Sequence, residues 1–214
     1  MSLTLTALII RLQTQLLDNG TLFSTPTCTV AFREALRKFN VSAPVHSATI
    51  LDVTPGQKEY ALNDPTIGTL LDILGVWQQD ELHEEDKSLV HDLYFEDNAP
   101  FIRLREALAN GHLIIRYTSP HTVSGLDGAT DGVFTADQEG VLVDGACVEA
   151  ISVRLTSLVE GYNLSPDVTG EYQRASVVFL QAFQAGLLRY SARRPAVGAP
   201  DTNCWNDEWH CWLR

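Results

Sequence analysis

The stretch LIIRYTSPHTVSGLDGAT, Leu113 to Thr130, decides how this chain is read. Its first half is rich in β-branched and aromatic residues, as a strand is. Pro120 closes that half, and a loop follows in which Gly125 and Gly128 supply positive φ without a Cβ clash and Asp127 is placed to cap backbone amides. The loop also gathers His121, Ser124 and Asp127, so the segment poses a choice between a nucleophile system and an architectural turn. Helical spacing resumes beyond it, so this stretch marks where a β region ends and a helical one begins.

Working outward, Thr135-x-x-Gln138 forms a candidate capping box ahead of GVLVDGACVEAISVRLTSLVEGY. That helix is apolar almost all round, as a central helix is. A last helix starts near Ser165-Pro166 or Thr169 and repeats Tyr172, Ala175, Phe179, Phe183, Leu187 and Tyr190 down one face, which reads as core. It ends in Arg189, Arg193 and Arg194, cations that suit the negative end of a helix dipole.

Upstream, Leu5, Leu8, Ile9, Leu12 and Leu16 fall at helical spacing and Asn19-Gly20 ends the pattern. A second helix opens at Thr25-Pro26, a capping threonine before proline, and places Phe32, Ala35, Leu36 and Phe39 on one face. Arg33, Arg37 and Lys38 lie off that face, as solvated cations or ion pairs to acidic neighbours. Between Val45 and Thr118 the period becomes β-like, in runs VHSATILDV, KEYAL, TLLDILGVW, LVHDLYF, FIRLREAL and HLIIRYT. FIRLREAL fits a strand only in part. Pro55-Gly56 and Asn110-Gly111 are the clearest turns, the second suited to a hairpin.

The fold class is therefore α+β: a helical bundle of two N-terminal and two C-terminal helices with an inserted antiparallel β-sheet or sandwich, and an extended C-terminal arm. The boundaries fall at 1–43 with 123–194 for the bundle, 44–122 for the β domain and 195–214 for the arm. The arm, PAVGAPDTNCWNDEWHCWLR, begins with two prolines and ends with Trp205, Trp209 and Trp212 among the acidic Asp201, Asp207 and Glu208. Large apolar groups beyond the last helix mark a contact site.

Composition excludes several functions. With 15 Lys+Arg against 27 Asp+Glu, the formal charge is −12, and specific nucleic-acid binding needs clustered cations. The sequence has no apolar run of the about 18 residues that a membrane helix needs, nor a cationic leader with a cleavage site. Four scattered cysteines, Cys28, Cys147, Cys204 and Cys211, suit free thiols in a reducing compartment.

The chemical motifs are weak. Val123-Ser124-Gly125-Leu126 lacks the first glycine of a nucleophile elbow, and His121 is too close to Ser124 in sequence for a usual triad. Cys204, His210 and Cys211 have no common zinc spacing. His83, Glu84, Glu85 and Asp86 read as a solvated charge run. No catalytic, cofactor or metal residue is assigned. Hydrolysis by the His121, Ser124, Asp127 loop and glycan or protein binding by the β insertion stay open as alternatives.

One resemblance goes further. ALIIRLQTQLLDNG, TVAFREALRKFN and VTPGQKEYALN, and above all IIRYTSPHTVSGLDGAT with FTADQEGVLVDGACVEA, resemble the head-to-tail adaptor (connector) proteins of tailed bacteriophages. The likeness spans about Leu5 to Tyr190, and its most specific part is Arg116 to Ala129. It implies a structural protein, not an enzyme. A ring of twelve subunits would sit in the virion neck between the portal protein and a downstream tail or nozzle protein, after synthesis in the host cytoplasm. DNA would pass without specific binding, and no membrane or cofactor is involved. His121, Gly125, Leu126, Asp127 and Gly128 would form an intersubunit or structural loop. Trp205, Trp209, Trp212, Asp201, Asp207 and Glu208 would form the portal-docking arm, although the arm lies outside the resembling region.

Overall fold

The computed structural model describes residues 4–18, 20–62, 70–79, 87–97, 99–160 and 166–191. The chain is α+β, as the sequence predicts, with four helices and two antiparallel sheets among the described residues. It divides into two compact units, one comprising residues 1–43 and 121–194, the other residues 44–120. His121 and Thr122 therefore belong with the helices. The arm, with Trp205, Trp209, Trp212, Asp201, Asp207 and Glu208, lies outside the described residues. So do His83 to Asp86, Arg193, Arg194, Cys204, His210 and Cys211.

In the helical unit, α1 (Leu5–Gln15) is capped by Thr4 and buries Leu8, Ile9 and Leu12. The turn after it is organised by Asp18, a residue whose role the sequence pattern does not announce. Its buried carboxylate accepts hydrogen bonds from the backbone N–H groups of Thr21, Leu22 and Phe23 and from the Thr21 hydroxyl. Burial raises the pKa of this carboxyl, but those four donors outweigh it and hold the group below the usual carboxylate value. Helix α2 (Thr25–Ser42) is capped by Ser24, not Thr25, so that Pro26 falls within the first turn. It buries Cys28, Ala31, Phe32, Ala35 and Phe39.

Helix α3 (Ala136–Glu160) packs against α1, α2 and α4 (Pro166–Ser191). The expected capping box forms: the Thr135 N–H donates to Gln138 Oε1 at 2.8 Å and the Gln138 N–H to Thr135 Oγ1 at 3.4 Å. Three neighbours can approach α3 because its buried surface includes Gly145, Ala146, Cys147 and Ala150. A Cβ at Gly145 would lie 2.7 Å from the Phe183 ring of α4, and one at Gly186 of α4 would lie 2.4 Å from Val141. The proposed core stripe of α4 is only partly covered. Phe183 alone is fully buried, while Tyr172, Ala175, Phe179, Leu187 and Tyr190 are half-buried, because α4 lies at the margin of the unit with no helix outside it among those described.

In the second unit, β1 (Val45–Asp52), β7 (His112–Ser119), β3 (Asp72–Gln79) and β4 (Lys87–Leu89) form one antiparallel sheet in that order. Strands β2 (Glu59–Ala61), β6 (Ala99–Leu104) and β5 (His91–Glu96) form the other. Both sheets supply one apolar core, Tyr60, Ile102 and Leu104 from the second meeting Val76, Leu113, Ile115 and Tyr117 from the first. Thr54 to Gln57 is a turn of type II character, with Gly56 at φ +81° and the Gln57 N–H donating to the Thr54 carbonyl.

Two segments differ from their reading in the sequence, while FIRLREAL keeps its partial strand character. Asn110-Gly111 is not a hairpin: Gly111 takes positive φ, but β6 and β7 lie in different sheets and the chain crosses between them there. A tight hairpin instead joins β5 to β6, where Glu96 faces Ala99 and Asp97 has φ +51°. LVHDLYF is two strands, since the chain leaves the first sheet at Leu89 and enters the second at His91. FIRLREAL is strand only to Leu104, and Leu108 alone returns to the core. No described helix is long and apolar enough to cross a membrane.

The close approach of α4 to α3 yields a direct test. Alanine normally gains about 1 kcal/mol over glycine inside a helix, yet Gly145→Ala should destabilise the protein by about 1–3 kcal/mol, because the new methyl has to displace a packed ring. Urea unfolding of the two proteins measures the sign.

Candidate functional site: the loop from His121 to Thr135

This loop carries the most specific run of the sequence and joins the end of β7 to the start of α3. Its geometry is fixed from both sides. Val123 and Leu126 are buried in the same cluster as Leu8, Phe32 and Ala146. Between them the backbone turns tightly: the Leu126 N–H donates to the Val123 carbonyl, Ala129 N–H to Leu126, and Gly125 N–H to Ala129. Gly125 and Gly128 have φ of +86° and +83°, where an L side chain is strained. The Leu5 N–H donates to the Ser124 carbonyl at 2.8 Å, tying the loop to the start of α1.

His121 sits at the buried end, 5 % exposed. Its backbone N–H donates to Asn40 Oδ1 at 2.7 Å, and Asn40 Nδ2 donates back to the His121 carbonyl at 3.1 Å. Its ring stacks on Phe134 with centroids 4.7 Å apart and meets Phe39 edge-on. Nδ1 faces the carbonyl oxygen of Val133 and Nε2 that of Ala43, the latter at 3.0 Å. A neutral ring donates through one nitrogen only, so both carbonyls favour the protonated form. Burial acts more strongly in the opposite direction, and the imidazole pKa lies below its ordinary value.

The three chemistry-bearing side chains do not converge. Both His121 nitrogens face backbone carbonyls, the Ser124 hydroxyl donates to the Thr130 carbonyl at 2.9 Å, and Asp127 is held by Arg33. Asp127 does not cap backbone amides as the sequence predicts. It takes a left-handed φ of +52° that carries its carboxylate outward to Arg33, whose Nε lies 3.0 Å from both oxygens. Hydrogen bonds and charge from Arg33 keep the Asp127 carboxyl below its usual range. The pair is half-exposed, so it orients the loop more than it stabilises it.

The remaining cations of α2 are also paired, Arg37 with Glu34 at 3.0 Å and Lys38 with Glu149 of α3. Arg189 lies 3.8 Å from Asp137. Cys28 and Cys147 are buried free thiols whose pKa values burial pushes up to about 11 and about 12, so both stay protonated and unreactive. Among the described residues no three His, Cys, Asp or Glu side chains group as metal ligands do. Neither comparison of the sequence with known proteins, one with protein-family models and one with curated proteins, found a match.

Two measurements test this geometry. A methyl group added at Gly128 would project into open space, so substitution there costs only what the φ imposes. Gly128→Ala should lose about 1 kcal/mol, and Gly128→Asn less, because asparagine tolerates the left-handed region. Stability should also fall on acidification below about pH 6.5, where unfolded histidine takes up a proton that folded His121 resists. Above that pH both states are neutral and the effect vanishes. Melting curves of the wild type and of His121→Gln between pH 8 and pH 5, with the shallower fall in the variant, provide the check.

Proposed function

We propose that the chain is a structural head-to-tail adaptor of a tailed bacteriophage, twelve copies of which form a ring in the virion neck. In this reading the fold is a helical bundle interrupted by a β insertion and followed by an extended arm, Pro195 to Arg214. The arm docks on the portal through Trp205, Trp209 and Trp212, and its acidic Asp201, Asp207 and Glu208 steer it to a basic cleft. A downstream tail or nozzle protein takes the other end of the ring.

The observation that carries the proposal is the run Arg116 to Ala129. The side chains in it that could suggest catalysis each have an architectural partner, and its glycines serve the turn. Such a loop suits a protein whose task is to hold shape. The formal charge of −12 supports the same reading, because a ring through which DNA slides should repel phosphates. Hydrolysis by His121, Ser124 and Asp127 draws no support from their separate hydrogen bonding.

A binding role for the β unit has one observation in its favour. Ile50, Ile114 and Trp77 lie opposite one another across β1, β7 and β3, Ile50 is 61 % exposed, and the Arg116 guanidinium sits 4.4 Å from the Trp77 ring centroid. An apolar row with an aromatic and a cation suits a glycan or a protein surface.

Counting copies in intact particles separates the readings. Quantitative mass spectrometry of purified virions should give twelve copies per particle, with electron microscopy placing them beneath the portal. Absence from particles, or one or two copies in each, would overturn the adaptor reading.

A further inference from the structure

Helix α4 carries exposed apolar side chains on the side turned away from its own bundle. Val177 is 53 % exposed and Leu188 70 %, and no charged residue occurs between Arg174 and Arg189. In a chain of formal charge −12, such a face is a place where two copies approach without repulsion. Val177, Gln181, Gln184 and Leu188 recur at steps of four, three and four, which puts them in one stripe across the helix from Phe183.

Helix α2 has a stripe of the same spacing. Val30, Glu34, Arg37 and Val41 lie across that helix from its buried row of Cys28, Phe32, Ala35 and Phe39. Val30 is 47 % exposed and Val41 67 %, and Glu34 and Arg37 form an ion pair between them. Each stripe reads apolar, polar, polar, apolar over about 16 Å at 1.5 Å per residue. The amides of Gln181 and Gln184 both donate and accept, so they can satisfy the outer sides of a carboxylate and a guanidinium alike. Two α2 stripes laid parallel would instead oppose Glu34 and Arg37 each to its own copy.

We propose that the α4 stripe of one copy packs on the α2 stripe of a second copy of this chain, with the helices parallel. Val177 then meets Val30 and Leu188 meets Val41. Arg189 falls beside Ser42 at the C-terminal end of α2 and Glu171 beside Ser24 at its N-terminal end, the placement that the helix dipole favours. A contact between stripes on different helices leaves each copy one stripe of each kind to offer to further copies, so it can run head-to-tail and propagate, as ring closure requires. The inference rests on the adaptor reading only in taking a second copy as the occupant.

The test uses the full chain with a photo-crosslinking amino acid in place of Leu188, irradiated at rising concentration. Crosslinks between copies should map to α2 around Val41. Leu188→Glu scored from a second crosslinking site at Val177 should cut their yield at least about tenfold, and adding Val41→Lys should restore it. Both positions are exposed, so circular dichroism should show unchanged folding. No crosslink between copies at any concentration overturns the proposal. So do crosslinks from α4 to α4, which would mean a two-fold dimer, and so does failure of Val41→Lys to restore the yield. Absence of the protein from virions would end the adaptor reading while leaving this contact standing, and absence of crosslinks would do the reverse.

Discussion

A buried clasp at His121 is the constraint on which the helical unit depends. The chain leaves this unit at Ala43 and returns at His121, with the whole β unit between them. Closing a flexible loop of that length costs about 4 kcal/mol or more in chain entropy. The β unit removes most of that cost, because its first and last strands are antiparallel neighbours and Val45 stands opposite Ser119. The clasp then fixes the ends: Asn40 exchanges two hydrogen bonds with the His121 backbone, and the His121 ring faces the Ala43 carbonyl. An insertion whose ends meet in this way leaves its host helices free to pack as though it were absent.

The packing it permits is set by small side chains. Helix α3 takes α1 and α2 against Ala146, Cys147 and Ala150 and takes Phe183 of α4 into the space over Gly145. Cys28 and Cys147 are buried, and each fills a volume between that of alanine and valine in the core. Beyond Ile151 no residue of α3 is fully buried, and the outer surfaces of α2 and α4 keep Val30, Val41, Val177 and Leu188 exposed. Stability within one copy therefore uses one face of α2 and of α4, and the proposed contact with a second copy would use the opposite face.

The loop shows how residues with catalytic chemistry can serve architecture. A histidine whose two nitrogens face carbonyls and whose ring lies between Phe39 and Phe134 has no open position for a substrate. Asp127 and Ser124 are closer to solvent, but each is committed to a partner that holds the turn. Proximity in sequence brought the three into one loop, while the turn at Gly125 and Gly128 directed them apart.

The sequence by itself determined the elements whose cause is local. Helical spacing placed α1 to α4, the Thr135 and Gln138 capping box formed as read, and Gly125 and Gly128 took the positive φ that only glycine adopts freely. It did not determine which strands pair, because pairing depends on residues far apart in the chain. Asn110-Gly111 has the local chemistry of a hairpin yet crosses between sheets, and one apolar run divides into β4 and β5 at Val90. The partners of His121 and Asp127 were hidden for the same reason. Asn40 and Arg33 lie 81 and 94 residues away from them, and only the packing of α2 against the loop brings those side chains within hydrogen-bond distance.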